Sequence, residues 1–326
     1  MKLHTNEPLF EDAIAITAKQ LAIPQIYIEK DYWVTAALHK IFHSPVREDA
    51  VFKGGTALAK CHGLIQRFSE DVDLAVIHRE QDTNSSLKAK IKTITRVVDQ
   101  LMPEIEVDGV TRKRGMNRKT VHDYPKQGFQ GVYGQVKSFI ILEATWLGSS
   151  EPNTIGEVSS FITNMMQASG QEQLIDQYDM APFTVKVLSK ERTLCEKIMS
   201  LFRFSQTKEP YTNLAAKVRH VYDIHLMLQH PDVSAFFEST AFEELLLAVG
   251  EQDKISFKNN NQWVVNHPAS VLIFREPELT WQKIKEAYKT FFSEMVYGKL
   301  PEDADLIETL KRVKKRLDKV VWNIVL

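Results

Sequence analysis

A chain of 326 residues exceeds the ~250–300 residues at which a single core stops growing, so two packed domains are expected. Its 44% hydrophobic and 25% charged residues exclude wholesale disorder, and 41 Lys and Arg against 42 Asp and Glu exclude any argument for a nucleic-acid partner from net charge. Two cysteines exclude a disulfide framework. With neither a signal-peptide core in MKLHTNEPLFEDA nor an apolar run of membrane-spanning length, they point to a soluble cytoplasmic protein with no membrane partner.

In chain order, Phe10, Ala13, Ile14, Thr17, Ala18 and Leu21 mark the apolar face of a helix over residues 9–21. Pro24 suits the first turn of a second helix over 24–42, which carries Glu29-Lys30-Asp31-Tyr32-Trp33. That charged triplet is either a solvated edge beside a buried Trp or a means for Lys30 to reach a phosphate.

Residues 51–77, VFKGGTALAKCHGLIQRFSEDVDLAVI, are the stretch the chain is organised around. A short strand ends at Gly54-Gly55-Thr56, which opens a helix, and a second strand carries Asp71-Val72-Asp73. Strand side chains alternate faces, so Asp71 and Asp73 project together and can share one or two divalent cations. A Gly-Gly-Thr turn before a helix lets a phosphate approach bare backbone N–H groups. A phosphate cradle joined to an acidic metal clamp is the minimum kit for nucleotidyl or phosphoryl transfer, although either signal alone is often only a turn.

Ser85 or Ser86 can cap a helix reaching Met102. Residues 104–131 read as polar and loop-rich, and Arg112, Lys113, Arg114, Arg118, Lys119 and Lys126 make them the most basic window of the chain. This window is either an electrostatic track for a nucleic-acid backbone or a solvated hairpin. Residues 132–147 contain FIILEATW, too apolar for a surface strand, so this strand is expected near the centre of the sheet. A carboxylate inside it is expensive to bury unless paired or metal-bound, which makes Glu143 the natural third acid beside Asp71 and Asp73.

A strand over 184–188 precedes a helix over 190–204 capped by Ser189, and another helix is expected over 214–229. His220, His225 and His230 are spaced by five residues, about 140° of helical rotation, which argues against a shared metal. Further helices are expected over 236–249, 281–297 and 302–321. Tyr288, Phe291 and Phe292 form a core stripe on the second of these, and the lysine-rich third is either a solvated surface or a nucleic-acid or partner contact.

The ordered set EKDYW, FKGGTALAK, RFSEDVDLAV, a strand with Glu143, LSKERTLCEKIMSL and VRHVYDIHLML resembles the AbiEii/AbiGii-type nucleotidyltransferase toxins, a broad group that includes the mycobacterial MenT toxins. The resemblance spans residues 28–228. It implies an α+β fold, in which a small mixed-sheet nucleotidyltransferase core of the polymerase-β kind over 1–188 is flanked by helices. A largely helical domain over 189–326 then contributes Lys197 and Asp223.

In such a protein Gly54, Gly55 and Thr56 hold the triphosphate, with Ser69 beside them. Asp71, Asp73 and Glu143 bind two Mg²⁺ ions, and Lys197 contacts nucleotide phosphates. Asp223 is retained from the last motif, but the acid that precedes it in relatives is His220 here; if that acid is the functional one, activation of the acceptor is either weakened or handed to Asp223.

The resemblance further implies transfer of NMP from an NTP to an RNA, tRNA above all, with Arg112, Lys113, Arg114, Arg118 and Lys119 as RNA contacts. It also implies a toxin of a toxin–antitoxin or phage-defence system with a separately encoded antitoxin. The competing readings are transfer to a protein or small molecule, phosphoryl rather than nucleotidyl transfer, and a catalytically idle RNA- or partner-binding module.

Overall fold

A computed structural model describes residues 1–69, 71–129 and 137–326. The chain divides into two compact units, Met1–Gly63 with Phe68–Leu188 and Leu64–Arg67 with Ser189–Leu326.

The first unit runs α1 (Glu7–Leu21), α2 (Gln25–Phe42), β1 (Ala50–Lys53), α3 (Gly54–Lys60), β2 (Asp71–Val76) and α4 (Asn84–Asp99). It continues through β3 (Glu104–Ile105), β4 (Arg112–Arg114), β5 (Asn117–His122), β6 (Ile140–Thr145), β7 (Asn153–Val158), α5 (Phe161–Ala168), α6 (Glu172–Gln177) and β8 (Phe183–Leu188). The eight strands form one sheet in the order β3-β5-β6-β2-β1-β8-β7, with β4 also pairing with β5. The β2–β6 and β1–β8 pairs are parallel and the rest antiparallel, so the sheet is mixed.

Alternation along β2 sorts its residues by face. Val72 and Leu74 are buried, whereas Asp71 and Asp73 are only half-buried. Helix α4 covers β5 and β6 with Leu87, Ile91, Ile94 and Val98, each buried and each worth about 1.5–3 kcal/mol. The helix starts earlier than Ser85, because Thr83 is its cap. Thr83 and Ser86 each accept the other's backbone N–H.

Glu29, Lys30 and Asp31 are all buried, which rules out the solvated edge, one of the two readings open for them. Each side chain is spent on a different segment. Glu29 accepts the N–H of Gln127 at 2.7 Å, and burial raises its carboxyl pKa. Lys30 donates to the carbonyl of Lys137, and Asp31 pairs with Lys60 of α3 at 2.6 Å while accepting the N–H of Phe161.

The described part of the window 104–131 is loop-rich as expected, but it also holds β3, β4 and β5, because Thr120, Val121 and His122 are buried and bring the polar segment into the sheet. Strand β6 is central as expected but starts at Ile140, and residues 132–136 lie outside the described residues. Nothing in the sequence pattern marked β7, α5 or α6.

The second unit comprises α7 (Lys190–Phe204), α8 (Pro210–Ala215), α9 (Val218–Gln229), α10 (Pro231–Glu238), α11 (Thr240–Ser256), α12 (Leu272–Arg275), α13 (Pro277–Ala287) and α14 (Asp303–Leu317). Ser189 caps α7 by accepting the N–H of Arg192 at 3.1 Å. The helix expected over 236–249 is two helices, because Ser239 takes an extended backbone between α10 and α11. The one expected over 281–297 changes at Tyr288–Phe292 into a π turn, whose wider pitch keeps Tyr288 and Phe292 buried while rotating Phe291 to 58% exposure.

On α14, Lys311, Arg312 and Lys314 pair with Glu278, Glu238 and Asp318, and Arg316 is buried against Glu243. Its positive charges are thus largely matched. Among the described residues no helix is long and apolar enough to cross a membrane.

Candidate active site

The first unit builds its half-exposed acidic face from strand register. Asp73 of β2 lies opposite Glu143 of β6 in a parallel pair, and Asp71 lies opposite Ile141, so all three acids project to one side of the sheet. Beyond them on β5, Lys119 lies opposite Glu143.

The Gly54 turn meets this face directly. Gly54 has φ +80°, and a Cβ there would overlap the Asp73 carboxylate. Only glycine therefore brings the backbone so close to Asp73. An alanine at Gly54 costs about 1–2 kcal/mol of backbone strain and displaces the carboxylate as well. Gly54→Ala should therefore lower the nucleotidyl transfer rate about tenfold or more while the protein still folds, which transfer assays beside thermal melts will show.

Thr56 does not open toward this face. It is 2% exposed, and its hydroxyl lies 2.6 Å from the Asp71 carbonyl oxygen and 2.9 Å from the Ser69 hydroxyl. The expected phosphate contact of Thr56 and Ser69 is replaced by a tie between the glycine turn and β2. Because α3 is only seven residues long, a phosphate at this turn would meet the turn's own N–H groups rather than a helix dipole.

The Oδ1 atom of Asp71 is buried and has no hydrogen-bond partner among the described residues. A buried carboxylate oxygen left unpaired is expensive unless a cation meets it. With Asp73 it forms an all-oxygen donor pair of the kind that suits a hard divalent cation such as Mg²⁺.

Glu143 is on the same face but is engaged elsewhere, accepting from Asn117 Nδ2 at 2.7 Å and lying 3.5 Å from Lys119 Nζ. Among the described residues no three His, Cys, Asp or Glu side chains gather around one point. As it stands, Glu143 neighbours the Asp71 and Asp73 pair without completing a three-ligand cluster.

In the second unit Asp223 has no exposed surface and is the centre of a buried ion cluster. Arg67 grips it through both fork nitrogens at 2.7 and 2.9 Å, and Lys197 Nζ approaches to 2.6 Å. Arg67 is itself held in place, with a backbone bridge to Val296 and its neighbour Gln66 accepting from Tyr297 and Gly298.

Burial alone would raise the Asp223 carboxyl, but the two cations outweigh it and hold it well below the usual carboxylate range. Burial lowers the Lys197 ammonium, with Asp223 opposing. Both oxygens of Asp223 are thus spent on two cations. Beside it, burial first, then Lys197, Arg219 and Lys217, push the His220 imidazole well below its ordinary pKa, and Nδ1 lacks a partner among the described residues.

The basic window is largely neutralised. Lys113 pairs with Glu104 and Glu106, Arg118 with Glu104, Lys119 with Glu143, and Lys126 with Asp123. Arg112 is exposed, and the Arg114 side chain lies outside what is described. This hairpin is no continuous cationic track. Arg67, Lys60, Asp31 and Asn117 had drawn no role from the sequence. The only trace of Arg67 was its place just before the DxD strand, in RFSEDVD.

A glycine turn abutting paired strand carboxylates is an arrangement suited to phosphoryl or nucleotidyl transfer. The chain belongs to the AbiEii family: the family model described as the nucleotidyl transferase AbiEii toxin of a type IV toxin–antitoxin system matches residues 36–318. It is a nucleotidyltransferase toxin. Among solved structures it is similar to MenT4, a nucleotidyltransferase toxin from Mycobacterium tuberculosis, at 14% identity and a TM-score of 0.44 over 94% of this chain and 97% of that one. No curated protein sequence matches it.

Proposed function

We propose that this toxin transfers NMP from an NTP to an RNA acceptor, tRNA above all, in a Mg²⁺-dependent reaction in the cytoplasm. The observation that carries the reading is the contact between the Gly54 turn and Asp73, beside the unpartnered Asp71 oxygen. Family membership supports the class of chemistry and implies a separately encoded antitoxin.

In this reading the N–H groups of Gly54 and Gly55 bind the triphosphate, and Asp71 and Asp73 hold Mg²⁺. When bound, the metal ions neutralise charge on the reacting phosphate and activate the attacking oxygen. Thr56 keeps the turn and β2 in register, so that phosphate and carboxylates share one geometry. Glu143 adds a third negative charge on the same face, balanced by Lys119. In the helical unit Lys197 is the cation assigned to nucleotide phosphate, and Asp223 holds it. The acceptor oxygen bonds to the α-phosphorus as the bond to pyrophosphate breaks, and the acceptor proton passes to solvent.

The test is incubation with total tRNA and each NTP labelled at the α-phosphate, in turn, with and without chelator. Label should enter RNA from at least one NTP and disappear with chelation. Label entering instead from the γ-phosphate would mean phosphoryl transfer and sink the proposal.

A further inference from the structure

We propose that the outward face of α4 is an exosite for the RNA backbone, with Lys88, Lys92 and Arg96 meeting successive phosphates. The inference rests on the reading of RNA as acceptor and adds to it a substrate class, an RNA with a folded body beyond its acceptor end.

Lys88, Lys92 and Arg96 are four residues apart, so they form one stripe with steps of about 6 Å along the helix axis. All three are exposed, and the buried Leu87, Ile91, Ile94 and Val98 put that stripe on the side turned away from the sheet. Like charges four apart repel, so the helix keeps an arrangement that is unfavourable in isolation and favourable against a polyanion.

The nearby acids are committed to other groups. Asp82 and Asp49 pair with Lys90, and Asp99 accepts the N–H of Glu104 at 2.6 Å. The stripe is therefore unlike the β4–β5 hairpin, where acids answer most of the cations. The small residues Ala89 and Thr93 between the cations are exposed and let a backbone come close.

Position decides the kind of RNA. Helix α4 packs on the Val72 and Leu74 side of the sheet, while Asp71 and Asp73 project from the opposite side. A strand running from one to the other turns the sheet edge over a path on the order of 20 Å. A short acceptor cannot occupy both places, whereas a folded RNA can.

The experiment compares the full chain with a Lys88→Gln, Lys92→Gln, Arg96→Gln variant, after circular dichroism shows that both fold. Fluorescence anisotropy follows binding of full-length tRNA and of a short single-stranded 3′-end oligonucleotide between about 50 and 200 mM salt. For tRNA, the variant should bind more weakly at low salt, and its log–log salt slope should be shallower by about 2–3. Binding of the short oligonucleotide should not change, nor should tRNA binding by a Lys19→Gln, Lys40→Gln control, which alters exposed lysines of α1 and α2.

An unchanged tRNA slope overturns the exosite, as does equal weakening toward both RNAs. Loss of binding only to phosphatidylserine vesicles, with tRNA binding intact, would assign the stripe to a membrane and overturn it too. Because binding is read without turnover, a protein that labels no RNA refutes the proposed function by a separate measurement.

Discussion

Asp71→Ala should remove nucleotidyl transfer, lowering kcat about a thousandfold or more, about 4 kcal/mol of transition-state stabilisation, while leaving the fold intact. The expectation of a sound fold comes from Oδ1, which is buried with no hydrogen-bond partner among the described residues, so removing that carboxylate relieves an unsatisfied charge. The variant should melt at or above the parent temperature. Mg²⁺ with a non-hydrolysable NTP should raise the melting temperature of the parent and not of the variant, since only a protein that binds the ligand gains stability by mass action. Equal transfer of α-label by both proteins would remove Asp71 from the site. A variant that melts far below the parent would make Asp71 a structural residue instead.

Strong periodicity made most of the fold readable. Helices α1, α2, α4 and α7 each carry an apolar stripe and a start signal, and the apolar run around Glu143 could only be a central strand. Failures came where tertiary pairing overrode local composition. Residues 117–122, NRKTVH, look like loop, yet pairing with both β3 and β6 makes them a strand whose last three residues, Thr120, Val121 and His122, are buried. The solvated reading of the EKD triplet stayed open because a single sequence does not show that each of its charges meets a partner far along the chain.

For the site, residue types and spacing revealed which groups share a strand face but not how each hydrogen bond is spent. Asp71 and Asp73 were readable from the period of two, and Gly54 from its turn. That Thr56 faces Asp71 and Ser69, and that Glu143 is engaged by Lys119 and Asn117, depends on strand register, which no local pattern encodes. Arg67 was invisible for the same reason, since its partner Asp223 is 156 residues away. The basic window was visible as charge, and its neutralisation by Glu104, Glu106 and Glu143 was not.

Asp223→Ala should be the most destabilising of these substitutions, costing about 3–5 kcal/mol, because it leaves Arg67 and Lys197 buried without an anion. Against a total stability of about 5–15 kcal/mol, that loss can unfold the helical unit near physiological temperature. The pH dependence has a definite sign. The folded-state pKa of Asp223 is depressed, so its contribution is present above the unfolded carboxyl value near ~4 and is lost as pH falls below it. Acid unfolding of the parent should therefore steepen below that pH, and the Ala variant should lack this component. A triple variant, Asp223→Ala with Arg67→Met and Lys197→Met, should recover most of the lost stability, since no buried charge is left unpaired. Lys197→Met alone keeps the Arg67–Asp223 fork and should fold, so its transfer activity separates a phosphate role for Lys197 from a structural one. If Asp223→Ala melts within about 1 kcal/mol of the parent, the cluster does not hold the helical unit together, and burial of these three charges would need another origin.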